Sequence, residues 1–210
     1  MERGRVVSAA CLAGPAAVAL AWIVIVVSVA LNPWFSLWSN AFSDLGGPSA
    51  NDPWVYNYGM ISVASLIVIY GGCMVMGGLN RLHYVGGSFF MVAGLFLALV
   101  GVYHEGTYPH VFVSHWFFYQ SDLSVLAWGL GSIRAQSRFT GCLELSIAVV
   151  GPIVAAALRW PSAATLEAYG IVLIDAFALL VYAELAGSIT RPSSRPRGGT
   201  SASGRSRPSS

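Results

Sequence analysis

Charge is scarce in this sequence: Asp, Glu, Lys and Arg make up only 10% of its 210 residues, whereas soluble domains carry about 25%. Lysine is absent, so all eleven basic residues are arginines. With 56% hydrophobic residues, the chain is also far more hydrophobic than a disordered protein. These shortages exclude both a water-soluble globular domain and a disordered chain.

Motifs for several common activities are missing as well. The sequence has no glycine-rich phosphate-binding motif and no Cys-x-x-Cys pair, and its three cysteines are too dispersed to suggest a metal site. Nothing therefore predicts nucleic-acid binding, a phosphate-binding loop or a redox cofactor, and no cofactor is expected.

The sequence does contain apolar runs long enough to cross a bilayer, which takes roughly 20 residues per helix. Backbone polar groups find no water in lipid, so these runs must be helices; the alternating pattern of a barrel is absent. The fifth run is short and contains Pro152, which predicts a kinked or tilted helix. The sequence thus predicts an all-α, multi-pass domain over residues 1–186. Its six helices are expected at about residues 6–31, 55–79, 86–103, 110–131, 143–158 and 168–186.

The arginines predict the orientation of the helices. All of them except Arg159 lie before the first helix, in the second or fourth connection, or after the last helix. The positive-inside rule places these positions, and hence both termini, in the cytoplasm. A cleavable signal peptide is the competing interpretation of the first helix, but its apolar run exceeds the 7–15 residues of such a signal. The chain is therefore expected in the cell membrane, with membrane lipids as partners.

Residues 187–210 are mostly Ser, Pro, Gly and Arg and predict a disordered cytoplasmic tail. The tail either fixes the topology alone or also attracts the anionic inner leaflet, at about 1 kcal/mol per arginine. Cys11, Cys73 and Cys142 fall toward the predicted cytoplasmic ends of their helices, so no disulfide is expected.

Candidate site residues gather on the predicted outer side. The first outer loop is long, aromatic and nearly free of basic residues, and is expected to fold over the helix mouths. It carries Ser43 and Asp44 before a Gly-Gly-Pro turn, where Asp44 either caps backbone N–H groups or faces a pocket. The second outer loop carries Glu105 and leads into His110. We expect Asp44, Glu105 and His110 to converge at a site that orients a polar headgroup or holds a cation, because carboxylates favour a charged histidine.

The fourth helix carries two of the four histidines. His110 and His115 are five positions apart, about 140° around a helix, so they do not indicate one ligand set. His110 instead shares a face with Ser114 and Ser121, which predicts close packing against neighbouring helices. Val113 is predicted to point outward.

Carboxylates within the apolar runs are further candidates, because a charge costs a few kcal/mol in a membrane. Asp122 lines up with His115, a further ligand-binding candidate, and lies at the predicted mid-depth, as does Asp175 of the last helix. The two aspartates could share a proton or hold a cation there if their helices are neighbours. Glu144 and Glu184 are expected to form salt bridges with Arg138 and Arg191 near the same helix ends.

Two segments resemble the family of domain of unknown function 998, whose members are six-helix membrane proteins. They are Ser43-Asp44-Leu45-Gly46 followed by the stretch 54–59, which includes Asn57, and the stretch 101–110 with its Glu-Gly pair and following histidine. The resemblance selects Asp44, Glu105 and His110 but implies no activity. One departure is Tyr103-His104, where the family pattern has Phe-Pro.

Three hypotheses remain for function. The first is a protein with an outward-facing polar pocket that binds or moves a small ligand, ion or lipid. The second is an intramembrane metal-dependent hydrolase acting on lipid, similar in logic to the alkaline ceramidase and adiponectin receptor superfamily. That superfamily has two histidines on its last helix, where this chain has Asp175 and none. The third is a membrane scaffold without a site.

Overall fold

The computed structural model describes residues 9–135 and 137–190, with the backbone alone for 188–190. It is 81% helical, and its described part contains no strand, so the all-α prediction is confirmed. A short 3-10 helix, Phe42–Gly46, precedes the second of six main helices. These helices are α1 Ala13–Leu31, α2 Pro53–Gly77, α3 Arg81–Val102, α4 His110–Arg134, α5 Arg138–Ala157 and α6 Ala163–Thr190.

Several helices begin earlier than their apolar runs, and polar side chains cap two of them, α3 and α6. The Asn80 side chain accepts hydrogen bonds from the backbone N–H groups of Leu82 and His83 at 3.0 and 3.2 Å, which starts α3 five residues before the predicted position. Ser162 and Thr165 exchange similar bonds at the start of α6. The predicted tail from residue 191 onward lies outside the described residues.

Five helices are long and apolar enough to cross a membrane, which fits an integral membrane protein. They are Ala9–Leu31, Pro53–Gly77, Arg81–Val102, Arg138–Ala157 and Ala163–Gly187. Helix α4 has the length, at 25 residues, but not the apolar character, because Gln120, Asp122 and several serines lie along it. That α4 also spans the membrane is therefore part of our proposal below.

Successive helices pack against each other, and α6 packs back on α1, α4 and α5. Small residues bring the backbones close: the Ser124 hydroxyl on α4 donates to the Gly86 carbonyl on α3 at 2.8 Å. We call the side that holds the connections 32–52, 103–109 and 158–162 the lid side. The side where α1 begins and α6 ends is the terminal side.

Of the predicted packing face of α4, His110 and Ser121 are buried and Ser114 is half-buried. Ser124 and Trp128, farther along the same helix, are at most 1% exposed. The outward assignment of Val113 is wrong, since this side chain is buried as well. Three positions correspond to 300° on a helix, so Val113 lies only 60° from His110 and shares its face.

The expectation of no disulfide is also wrong, because the structure pairs Cys11 with Cys73. Cys11 lies just before α1 and Cys73 near the end of α2, so both lie at the same depth on the terminal side. The two helices pack against each other there, and the Cα atoms are 5.4 Å apart. Cys142 is exposed and is the free cysteine of the described residues.

Candidate functional site

The connection between α1 and α2, residues 32–52, folds over the lid side, and we call it the lid segment. The buried Asn32 side chain joins its two ends: the amide donates to the Asn51 carbonyl at 3.2 Å, and the side-chain oxygen accepts from the Asn51 N–H at 2.6 Å. Near its middle, the Leu37 carbonyl accepts a hydrogen bond from the Ser162 hydroxyl at 2.6 Å. The lid segment is therefore fixed to the helix mouths.

The 3-10 helix positions the family motif of the lid segment. One oxygen of Asp44 accepts from the Ala41 N–H at 2.8 Å, so this carboxylate caps its own turn. Ser43 is buried, and the Asn57 amide donates to the Gly46 carbonyl at 3.0 Å. The side-chain oxygen of Asn57 is buried and accepts no hydrogen bond from the described residues.

Glu105 and His110 form a pair across the second lid-side connection. His110 Nε2 lies 3.1 Å from Glu105 Oε2, and His110 Nδ1 lies 2.7 Å from the Tyr103 carbonyl oxygen. A carbonyl only accepts, so Nδ1 carries a proton, and a second proton must lie between Nε2 and the carboxylate for that contact to be attractive. The pair is either an imidazolium with a carboxylate or a neutral histidine with a carboxylic acid.

Sequence reasoning missed Glu167, which links the lid segment to α6. One oxygen of Glu167 accepts from the Phe42 N–H at 2.6 Å, and the carboxylate lies within electrostatic reach of Asp44 and Glu105. Asp44, Glu105, His110 and Glu167 thus form one lid-side cluster. Glu167 precedes Asp175 by eight positions, so a shared face of the last helix was the available signal.

His115 lies apart from this cluster. Its side chain is exposed, and Nδ1 lies 2.7 Å from the carbonyl oxygen of Val111 on the same helix. It belongs to an outer aromatic patch with Phe112, Trp116 and Tyr119. The structure therefore does not bring His115 to the other candidates.

The two aspartates predicted at mid-depth, Asp122 and Asp175, have separate surroundings, although α4 and α6 do touch where Phe118 packs on Gly170. Asp175 accepts a hydrogen bond from Trp22 Nε1 of α1 at 2.7 Å. Asp122 is half-buried on α4, and no hydrogen bond joins it to Asp175 within residues 9–135 and 137–190.

The expected salt bridge between Glu144 and Arg138 is also wrong. Glu144 is fully buried and accepts no hydrogen bond from the described residues, whereas Arg138 is exposed. Glu184 accepts a hydrogen bond from Trp128 Nε1 at 3.0 Å. Its expected partner, Arg191, lies outside the described residues.

A cavity of about 90 Å³ begins beneath the lid segment and runs along α6. Its lining on α6 extends from Glu167 to Ala178, which is eleven residues or about 16 Å along the axis. Ser43, Tyr56 and Glu167 supply polar groups at the lid-side end, while the walls are mostly apolar. Five helices and the 3-10 helix line the cavity, and α5 does not.

Within the described part of the chain, no group of three or more His, Cys, Asp and Glu side chains is arranged to hold a metal ion. The lid-side cluster has carboxylates and one histidine, but that histidine is already bonded at both ring nitrogens. Its chemistry is that of hydrogen-bond acceptors and of one proton held between Glu105 and His110.

No curated protein and no solved structure matches this sequence. A family model described as a protein of unknown function (DUF998) matches residues 15–184, from α1 into the last turns of α6. This match covers more than half of the chain and confirms the resemblance indicated by the lid-side motifs. The chain belongs to the DUF998 family.

Proposed function

We propose that this protein spans the cell membrane six times and binds a single-chain amphiphile, with the polar group of the ligand beneath the lid segment and its chain along α6. The observation that carries this proposal is the cavity. Its volume of about 90 Å³, spread over about 16 Å, is well below the roughly 300–1,000 Å³ of ordinary ligand pockets, so the helices must separate to admit a chain. The elongated shape favours one unbranched chain over a compact or planar molecule.

The groups near the lid-side end favour a neutral or cationic headgroup. Glu167 lines this end of the cavity and lies within electrostatic reach of Asp44, so both carboxyl groups offer hydrogen-bond acceptors, whereas Glu105 and His110 are neutral as a pair. A phosphate or carboxylate headgroup finds no donor in these acceptors, whereas a hydroxyl or an amine can donate hydrogen bonds to them. The ligand class is therefore a long-chain alcohol or amine.

The route of entry we propose lies between α1 and α6. Small α1 residues, Gly14, Ala17 and Ala21, line the cavity on this side. The hydrogen bond from Trp22 to Asp175 joins the two helices here. Opening this contact would admit a chain from the bilayer without unfolding the lid segment.

A matched pair of α6 variants tests the binding site. Ile171 lines the cavity, whereas the adjacent Val172 is 52% exposed. Binding of a radiolabelled long-chain alcohol or amine to the purified protein is expected to weaken about tenfold or more in Ile171→Trp, a loss of about 1.4 kcal/mol. Val172→Trp should bind normally. Equal binding by both variants, or stoichiometric retention of phospholipid alone, would contradict the proposal.

The topology is tested separately by reporter fusions, because α4 is the least apolar of the proposed spans. Reporters fused after Asn51, Tyr108 or Ser162, on the lid side, are expected to report an external location. Reporters fused after Arg81, Ser137 or Ser193 are expected to report the cytoplasm. A cytoplasmic result at Asn51 would overturn the orientation, and equal results on both sides of α4 would remove it from the spans.

The metal-dependent hydrolase is not favoured by any described group of side chains. Its logic needs histidines that converge on one metal, and His110 and His115 point to different surroundings. A zinc measurement on the purified protein decides this alternative, and stoichiometric zinc would revive it.

A further inference from the structure

A second polar cluster lies on the terminal side, inside the helices rather than in the connections. Glu144 is six residues after the start of α5, and Glu184 is six residues before the end of α6, so both lie about 9 Å inside the helix ends. We call this group the terminal-side cluster: His83, Trp128, Ser132, Thr140, Glu144 and Glu184.

Glu144 is the unusual member of the terminal-side cluster. It is 0% exposed, and neither oxygen of its carboxyl group accepts a hydrogen bond from the described residues. Gly129 of α4 lets the helices approach closely here, since a Cβ on Gly129 would lie 3.0 Å from the Glu144 Cβ. An ionised carboxylate without a partner in such a place is very costly, so the side chain needs a compensating positive charge.

Glu184 has the opposite surroundings. Its carboxylate accepts hydrogen bonds from Trp128 Nε1 at 3.0 Å, from the Ser132 hydroxyl at 3.4 Å and from the Thr140 hydroxyl. Donors of this kind stabilise the ionised form. The structure therefore places a carboxylate with three donors beside one that has only the shared Ser132 hydroxyl near it, an arrangement that favours the negative charge on Glu184.

Among the described residues, the groups that act on Glu144 are Glu184 and the Ser132 hydroxyl, and neither supplies a positive charge. His83 Nδ1 accepts a hydrogen bond from the Leu79 N–H at 3.1 Å, so that nitrogen is unprotonated and the imidazole is neutral. The His83 ring stacks on Trp128 with its centroid 4.2 Å away. Tyr70 of α2 also lies within electrostatic reach of both carboxylates.

We propose that Glu144 is a proton-binding site, in which one proton from water on the terminal side neutralises the carboxylate beside the ionised Glu184. The proton binds to a Glu144 oxygen, and its loss returns it to water and leaves two buried carboxylates together. Tyr70 lines the cavity and lies within electrostatic reach of Glu144 and Glu184. The site does not depend on which ligand occupies the cavity.

The first test is the pH dependence of thermal unfolding of the full-length protein in detergent. The folded chain holds the Glu144 proton more tightly than the unfolded chain, in which a glutamate ionises near pH 4.3. The unfolding midpoint of the natural protein should therefore fall as the pH rises above about 5 and level off once Glu144 has lost its proton in the folded chain. Each tenfold difference in proton affinity between the folded and the unfolded chain corresponds to about 1.4 kcal/mol. For a chain of this size, that free energy lowers the unfolding midpoint by about 3–5 °C.

Glu144→Gln should flatten this pH dependence, because the amide is neutral and similar in size. Asp52→Asn, at an exposed lid-side position, should leave it unchanged. An equally steep profile in Glu144→Gln, or a flat profile in the natural protein, would overturn the proposal. So would stabilisation by sodium chloride over choline chloride that disappears in Glu144→Gln, because the site would then hold sodium.

Carbodiimide labelling of the natural protein decides the matter even if Glu144→Gln fails to fold. Dicyclohexylcarbodiimide reacts with protonated carboxyl groups in apolar surroundings, and peptide mass spectrometry identifies the modified residue. Labelling of Glu144 at about pH 6 that is lost at about pH 9 would support the proposal. Absence of label at Glu144, or labelling that does not change with pH, would overturn it.

Discussion

The lid-side and terminal-side clusters use the same residue types in different parts of the fold. Each has one histidine and at least two carboxylates. At the lid side these groups come from connections and helix ends, and Glu105, whose side chain is 39% exposed, faces His110. At the terminal side they come from helix interiors, where Glu144 has no contact with solvent. Their place in the fold, rather than their chemistry, separates a solvent-accessible cluster from a buried one.

If the terminal-side cluster is part of the packed core, removing its largest member should have the largest effect. Trp128 is 1% exposed, stacks on His83 and donates to Glu184. Trp128→Ala is expected to lower the free energy of unfolding by about 3–5 kcal/mol, measured by thermal unfolding in detergent. Trp54→Ala, at an exposed lid-side position, should cost far less. Equal losses would remove the distinction between the two sides.

The same substitution along α4 should become more costly from the lid side to the terminal side. Ser124 is fully buried and bonded to Gly86, whereas Ser114 is only half-buried. Ser124→Leu is expected to cost about 1–3 kcal/mol because the added volume separates α3 from α4, and Ser114→Leu should cost less. Val111→Leu, on the exposed face, serves as the control. A larger loss at Ser114 would reverse the expected gradient.

A smaller effect is expected for the Glu105–His110 pair, because solvent reaches the glutamate. A double-mutant cycle with Glu105→Gln and His110→Gln should give a coupling free energy of about 0–1 kcal/mol. The measurement is again thermal unfolding, with all four proteins at one pH. A coupling of several kcal/mol would show that the lid-side pair is as strongly held as a buried one.

The smallest effect is expected at His115, which is exposed on the outer aromatic patch. His115→Ala should change the free energy of unfolding by no more than about 0.5 kcal/mol and leave amphiphile binding unchanged. Binding lost in His115→Ala but kept in His110→Gln would place the ligand on the outer aromatic patch instead of beneath the lid segment.

The features that the sequence could predict are local ones. Apolar runs predict the helices, and the five-residue step from Glu105 to His110 keeps those side chains within reach of each other. The features it could not predict depend on which helices touch and where. Glu167 reaches the lid-side cluster from α6, 125 residues from its partner Phe42. Glu144 appeared to be near an arginine in sequence, but its side chain turns toward Gly129.

The two cysteines show the same limit. Their common depth could be read from the sequence, since Cys11 precedes α1 and Cys73 lies near the end of α2. The sequences of α1 and α2 are apolar on every face, so they do not show which face of α1 packs against α2. The contact between α1 and α2 supplies that information, and it brings the Cα atoms to 5.4 Å.

The Asn32 side chain has a consequence for how this protein can diversify. Asn32 joins the two ends of residues 32–52, so this closure does not depend on the residues between them. Doubling the length of a flexible loop adds only about 0.6 kcal/mol to the entropy of closing it. Insertions and substitutions within the loop can therefore change the residues at the mouth of the cavity while the Asn32 hydrogen bonds keep its two ends together.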